Sequence, residues 1–256
     1  RDWFAAAGLF LATASVVFRQ NAHVAVLWDL SYTLDSAARI AQGQLPYRDF
    51  PFAHAPLTFL IQAAIIRLTG RVFFHHVVYA AIVGGLGTVL AWRIALRSLV
   101  SKHADRAWLV SLLLAAPLSV LGIYCILPFP SYDCDCAFAL LIAIYLLQKL
   151  SHDASSGYAF LTGAALCLPL FFKQNIGLPF LAIAVAILFV PLTAAFLSRG
   201  KSHSQNRWGP LIVMTCAGIA ATLLAALLLL HFTVGIGNYF HWTIQFAAQR
   251  RLPGLQ

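Results

Sequence analysis

Pro56–Gly70 reads PLTFLIQAAIIRLTG, and every later loop takes its side of the membrane from how this stretch is read. That a membrane is involved follows from composition. Hydrophobic residues make up 61% of the chain and charged residues 10%, against roughly 25% charge in soluble domains. The Pro56–Gly70 stretch is only about 14 residues long and carries Gln62 and Arg67, short of the roughly 20 residues a helix needs to cross about 30 Å of hydrocarbon. Its length suits a helix lying in the interface. Loop charge then decides. With that helix in the interface, one side receives Arg97, Lys102 and Arg106, then Lys149, then Arg199, Lys201 and Arg207, while the short opposite loops 126–133 and 173–177 carry only Lys173. Basic loops stay cytoplasmic, which puts Arg1 inside and Trp28–Gly70 outside. Arg39, Arg48, Arg67 and Arg71 in that outer loop break the pattern and call for another task.

Working outward, the apolar runs predict seven spans near 3–20, 72–98, 107–125, 134–150, 158–172, 178–197 and 208–233. The expected fold is all-α: a polytopic membrane helix bundle forming one module over 1–256. Its first external loop, 21–71, is partly helical. The short alternating segments of an outer-membrane barrel are absent from the sequence. The chain opens on Arg-Asp-Trp, holds a single methionine, Met214, and ends in a polar run, so it reads as part of a longer protein whose C-terminal part is missing. No small-residue cleavage site follows Trp3–Phe18, which reads as a retained span. Trp3, Trp108 and Trp208 fall at inner ends and Trp28 and Trp242 at outer ends, as an aromatic belt requires. Gly84, Gly85 and Gly87 permit close helix approach.

A net charge of +9 invites a nucleic-acid reading, but the bases are spread over short loops instead of one face, and topology accounts for them. Most of the five cysteines lie in or beside spans, where Cys acts as a small hydrophobe. Cys134-Asp135-Cys136 lacks the two-residue gap of a zinc knuckle; a disulfide from Cys125 to one of that pair is the alternative.

The acids are all Asp, eight in number, and three lie within Trp28–Pro56, WDLSYTLDSAARIAQGQLPYRDFPFAHAP. Under the topology above, the displaced polar groups gather on the outer face. They are Asp29, Asp35, Arg39, Arg48, Asp49 and His54, then His75 and His76, Tyr132 and Asp133, Lys173, Gln174 and Asn175, and finally Tyr239, His241, Arg250 and Arg251. Residues 32–42 predict a helix with an Asp35–Arg39 pair at i,i+4, worth well under about 1 kcal/mol on a surface, and with Gly43 as its stop. Asp29 precedes that helix and reads either as a cap or as a reactive carboxylate. Phe171–Gly177, FFKQNIG, is a hairpin between spans. Lys173 there is either a snorkelling lysine or, with Gln174 and Asn175, a donor set for phosphate oxygens. Metal binding by His54, His75, His76 or His241 needs a convergence that spacing does not reveal.

Trp28-Asp29, Tyr32, Ala37-Ala38-Arg39, the run Gly43-Gln44-Leu45-Pro46-Tyr47-Arg48-Asp49-Phe50 and His54-Ala55-Pro56-Leu57 together resemble the first external loop of the GT-C membrane glycosyltransferases. The closer likeness is to the bacterial branch related to protein O-mannosyltransferases and to lipid A aminoarabinose or galacturonosyl transferases. The PSYD and FKQN tracts and the seven-span plan are similar as well. The resemblance implies transfer of a sugar from a polyprenyl phosphate carrier to a glycan, lipid or protein acceptor at the outer face of a bacterial inner membrane, usually with inversion. In that family a position matching Asp29 acts as base on the acceptor hydroxyl. No cofactor is expected, and no residue pattern here indicates a divalent metal. Relatives commonly follow that Asp with Glu; this chain has Leu30, which weakens a second-carboxylate role.

The residues fit that chemistry on their own terms. A lipid phosphate leaves as a stable anion, so one carboxylate base and some cations suffice where a glycosidase needs a second carboxyl. Asp29 supplies the base, with Asp49 as second choice. Arg48, Lys173 or the Arg250–Arg251 pair holds phosphate; His54, Tyr132, Gln174 and Asn175 complete the substrate-binding set. Tyr47, Phe50, Tyr132 and Trp242 read either as sugar-stacking rings or as packing. The alternative functions are a lipid-linked substrate transporter or flippase, which usually carries ionisable residues at mid-span, and a non-catalytic membrane protein.

Overall fold

The computed structural model describes residues 1–23, 27–100, 106–150, 155–197 and 208–251, and among these the ordered elements are helices, with no strand beyond an isolated Pro46–Phe50 bridge. Three helices are long and apolar enough to cross a membrane: α1 (Asp2–Asn21), α4 (Phe73–Val100) and the Gly209–Thr233 part of α10 (Trp208–Thr233). The chain divides into two compact units, one of Arg1–Gln44 and Pro56–Tyr145, the other of Leu45–Ala55 and Leu146–Gln256.

In the first unit α1 and α4 run antiparallel. At one end the rings of Phe18 and Phe74 meet edge to face, with centroids 5.7 Å apart. At the other, Arg93 reaches Asp2 at 3.1 Å, Trp108 Nε1 donates to Asp2 at 3.0 Å, and the Arg1 guanidinium lies 3.8 Å from the centre of the Trp108 ring. The expected role of the glycines holds: a Cβ on Gly85 would come within 2.6 Å of the Phe10 ring, and one on Gly84 within 2.8 Å of the Ile123 carbonyl. The buried Thr13 hydroxyl bridges to Thr88 at 3.0 Å. Because the two helices are antiparallel, everything between them begins and ends at one end of the pair. That segment holds α2 (Leu27–Ala41) and α3 (Leu57–Thr69). At 13 residues α3 is about 20 Å long, so the reading of it as too short to span fits the path of the chain.

α2 starts earlier than residue 32, which puts Asp29 inside its first turn and not ahead of it. It ends as expected. Gly43, at φ 96°, donates to Ile40 and Gln44 donates to Arg39, the two crossed bonds of a Schellman stop. Arg67 of α3 adds bonds to the Ile40 and Ala41 carbonyls at 3.1 and 3.0 Å, satisfying the last carbonyls of α2. This is the task of one out-of-pattern cation.

The span expected at 107–125 is cut short. α5 (Ala107–Ala115) stops before Pro117, α6 covers only Leu118–Leu121, and Gly122 leaves the helix in an extended conformation. Pro117 has no N–H to continue the ladder. α7 (Tyr132–Leu150) begins two residues ahead of the predicted span, taking Tyr132 and Asp133 into its first turn.

In the second unit α8 (Ser156–Phe172) and α10 are in contact through a reciprocal pair of glycines. A Cβ on Gly163 would overlap the Thr215 carbonyl oxygen, and one on Gly218 the Phe160 carbonyl oxygen. Such close backbone approach is how helices associate where no hydrophobic gradient drives them. α9 (Gln174–Leu197) follows α8 directly through Lys173, and Gly177 lies against the Leu170 backbone, so this corner also needs glycine. After Gly235, at φ 83°, come α11 (Ile236–Phe240), a π turn at His241–Gln245 and α12 (Phe246–Arg251). The basic loops at 101–105 and 198–207 lie outside the described residues.

Candidate functional site

Each unit carries part of the predicted constellation. In the first, Asp29 is exposed on α2 with no hydrogen-bond or ion-pair partner among the described residues. One helical turn and a half later, Arg39 Nε meets Asp35 Oδ2 at 2.8 Å, both side chains well exposed, which is the surface pair the spacing predicts. Tyr132 is half-buried, its ring near-parallel to Phe59 at 6.4 Å, and Phe59 takes the edge of Tyr32 at 5.8 Å. His76 is buried with Nδ1 2.7 Å from Gln62 Oε1, while His75 is half-buried against Phe74.

The most heavily bonded carboxylate of this unit was not among the candidates. Asp135 is 1% exposed and accepts three hydroxyls: Thr58 of α3 at 2.7 Å, Tyr79 of α4 at 2.8 Å and Tyr124 at 2.6 Å. Tyr124 reaches it from a left-handed backbone conformation, φ 67°, a state that costs a non-glycine residue on the order of 1 to 3 kcal/mol. A buried carboxylate is tolerated only when its oxygens are satisfied, and here the satisfaction ties α3, α4 and α7 together. The sequence did hold one signal, an acid four residues into an apolar helix.

In the second unit, residues 45–55 form a tight loop. Asp49 accepts the Leu45 N–H at 2.7 Å and is gripped by Arg48 through Nε at 2.9 Å and Nη2 at 3.2 Å. The Arg48 hydrogen bonds first, then the Leu45 N–H, hold the Asp49 carboxyl below the usual carboxylate range, and Asp49 in turn raises the guanidinium. Asp49 is therefore committed to the loop and to orienting Arg48, which argues against its use as a base. Arg48 Nη1 also approaches the Thr233 carbonyl at 3.5 Å.

Tyr47 is 2% exposed at φ 68°, its hydroxyl donating to the His54 carbonyl at 2.6 Å and its ring edge-on to Phe52 and Tyr239. Phe50 is buried against Phe52. For Tyr47 and Phe50 the packing reading holds and sugar stacking does not. His54 is half-buried and contributes its carbonyl and a ring contact with Phe52.

Tyr239 links this loop to the hairpin, since Gln174 Nε2 donates to its hydroxyl at 2.9 Å. Lys173, half-buried, ends α8 and caps α9, its carbonyl accepting Ile176 and Gly177 N–H groups. Asn175 is exposed beside it. The loop, the Lys173 corner and the turn after α10 thus come together through Tyr47, Tyr239 and Gln174, with two cations and two amides among them. Trp242 packs between His241 and Phe246. The side chains of Arg250 and Arg251 lie outside the described residues.

Among the described residues no three His, Cys, Asp or Glu side chains gather as a metal site, and the five cysteines are free thiols, Cys125 included. Chemically, the first unit offers an accessible carboxylate and the second a cationic, amide-rich corner suited to an anion. No family model, curated protein or solved structure matches the chain.

Proposed function

We propose that this chain is a membrane glycosyltransferase of the GT-C kind, moving a sugar from a polyprenyl phosphate carrier to an acceptor hydroxyl at the outer face of a bacterial inner membrane. The observation that carries the reading is Asp29, an exposed carboxylate without a partner among the described residues, on a helix held at one end of the α1–α4 pair. A general base has to be reachable and unengaged before it takes a proton. Asp29 accepts the acceptor's hydroxyl proton as its oxygen attacks the anomeric carbon and the lipid phosphate departs with the bonding electrons; one-step displacement inverts the anomeric centre. Arg48 and Lys173, with the Gln174 and Asn175 amides, hold phosphate oxygens, the charge-assisted contacts that stabilise the leaving group. On this reading the shorter apolar helices α5–α6, α8 and α9, with α7, supply the spans beyond α1, α4 and α10.

A transport reading has Asp135 in its favour, a buried carboxylate at the start of an apolar helix. Its three hydroxyl donors and its place in the first turn of α7 give it a packing task instead. The test is mass analysis of lipid extracts from cells lacking the gene. Accumulation of a polyprenyl phosphate sugar, reversed by the wild-type gene and not by Asp29→Asn, is expected. An unchanged pool of lipid-linked sugars would remove the glycosyl-transfer reading.

A further inference from the structure

Within the first unit, two of the contacts between α7 and α4 matter here. Near the start of α7, Tyr79 donates to Asp135; further along, the Arg97 guanidinium lies 4.5 Å from the centre of the Tyr145 ring. Between these ties the helices leave a partly open groove of about 440 Å³, lined by Thr88 and Ala91 of α4, Leu118 of α6, and Ala137, Leu141 and Ile144 of α7. The lining is apolar except for the Thr88 hydroxyl, which is already bonded to Thr13 and close to the Leu118 carbonyl.

Past the lining residues the α4–α7 seam turns polar. Tyr145 lies one helical turn beyond Leu141 and next to Ile144, and the Arg97 guanidinium lies against its ring, just beyond the groove's own lining. Its Nη1 atom is buried and has no hydrogen-bond partner among the described residues. A guanidinium donates from its edge, and a ring stacked on its face leaves those donors unmet; a buried charged donor without an acceptor is rare. The neighbouring cation, Arg93, is matched by Asp2, which also takes the Trp108 N–H. Trp108 marks headgroup depth, and this is the end of α4 remote from α2 and α3.

We propose that this groove is a binding site for an anionic phospholipid, with one acyl chain between α4 and α7 and the phosphate on Arg97. The volume lies within the range of small-molecule sites. A free phosphate would leave the apolar groove unfilled, and a zwitterionic lipid would bring its own cation to compete with Arg97 for the phosphate. Basic sites at inner helix ends recognise anionic headgroups by the same chemistry. The site is separate from the proposed transfer chemistry and does not depend on it.

Purified, delipidated protein titrated with phosphatidylglycerol or phosphatidylcholine of identical chains, and read by native mass spectrometry, tests this. One phosphatidylglycerol per chain should bind roughly tenfold or more tightly than phosphatidylcholine. Arg97→Gln should abolish the preference and leave weak binding of both lipids; Arg97→Lys should keep much of it. Ala137→Phe, which fills the groove, should reduce binding of both, and Arg93→Gln should change neither. Equal affinity for the two lipids, a preference that survives Arg97→Gln, full binding by Ala137→Phe, or displacement by an equal concentration of inorganic phosphate would each overturn the proposal. Should Arg97→Gln not fold, the Arg97→Lys and Ala137→Phe results and the phosphate competition decide it.

Discussion

Asp29 and Asp49 belong to one continuous stretch of sequence, yet they meet opposite fates. Asp29 stands on the exposed face of the first turn of α2 with no partner among the described residues. Asp49 has both oxygens engaged, by the Leu45 N–H and by two nitrogens of Arg48, inside a loop whose aromatic residues are buried. The contrast separates chemistry from construction. A run of residues that looks uniformly site-like divides into a half that builds a closely bonded loop and a half that leaves a carboxylate exposed. Asp135 extends the comparison to its limit, a carboxylate saturated by three hydroxyls.

The largest expected effect breaks or keeps this contrast directly. Asp29→Asn should cut turnover by about 10² to 10⁴, the usual contribution of a positioned base, with membrane abundance and donor binding near normal. Asp49→Asn should lose far less. Measured at equal abundance, an active Asp29→Asn beside an inactive Asp49→Asn would move the base to Asp49. Activity in both would end the mechanism proposed above.

Asp135 should behave as construction, not chemistry. Asp135→Ala strands buried hydroxyls, each worth about 1 to 3 kcal/mol when left unsatisfied, so the thermal midpoint in detergent should fall clearly. Tyr79→Phe, which removes one donor and leaves the carboxylate two, should fall less. A variant at Asp135 with wild-type stability and no turnover would instead bring this carboxylate into the reaction.

Next in size is Lys173. If its ammonium holds carrier phosphate, Lys173→Ala should weaken apparent donor affinity roughly ten- to a hundredfold, the equivalent of a lost charge-assisted contact, and change acceptor use less. Unchanged donor affinity would favour the snorkelling role, in which the lysine serves only the interface.

What the sequence made legible is local. The short length of Pro56–Gly70, the Gly43 stop, the Asp35–Arg39 pair and the small residues at Gly84 and Gly85 all follow from spacing along one helix, and the structure has each of them. The Asp135 node was out of reach because its donors come from Thr58, Tyr79 and Tyr124, on three other segments, and no periodicity pairs them. Spacing leaves Tyr47 between sugar stacking and packing, because it precedes two charged residues in a loop. Its left-handed backbone, which turns the ring into the aromatic cluster, is a conformation that sequence preferences for tyrosine argue against. The break at Pro117 falls inside the span expected at 107–125, where apolar residues on both sides of the proline make one continuous run.

The smallest effect sharpens the Asp49 side of the comparison through pH. Arg48, by its hydrogen bonds first, and then the Leu45 N–H hold the Asp49 carboxyl below its usual range, against a lesser opposing pull from burial. A carboxyl lowered in the folded state contributes stability above its unfolded value, near about 3.9, and loses it as pH falls through the lower folded value. Protection of the Leu45 amide from hydrogen exchange, corrected for the intrinsic rate, should therefore be flat from about pH 5 upward and decline only below roughly pH 4. In Asp49→Asn the amide oxygen still accepts the Leu45 N–H while the charge on Arg48 goes unmatched, so protection should be lower at neutral pH and the acid step absent. A change in wild-type protection between about pH 5 and 8 would mean that Asp49 is not the loop's anchor, reopening it as a candidate base.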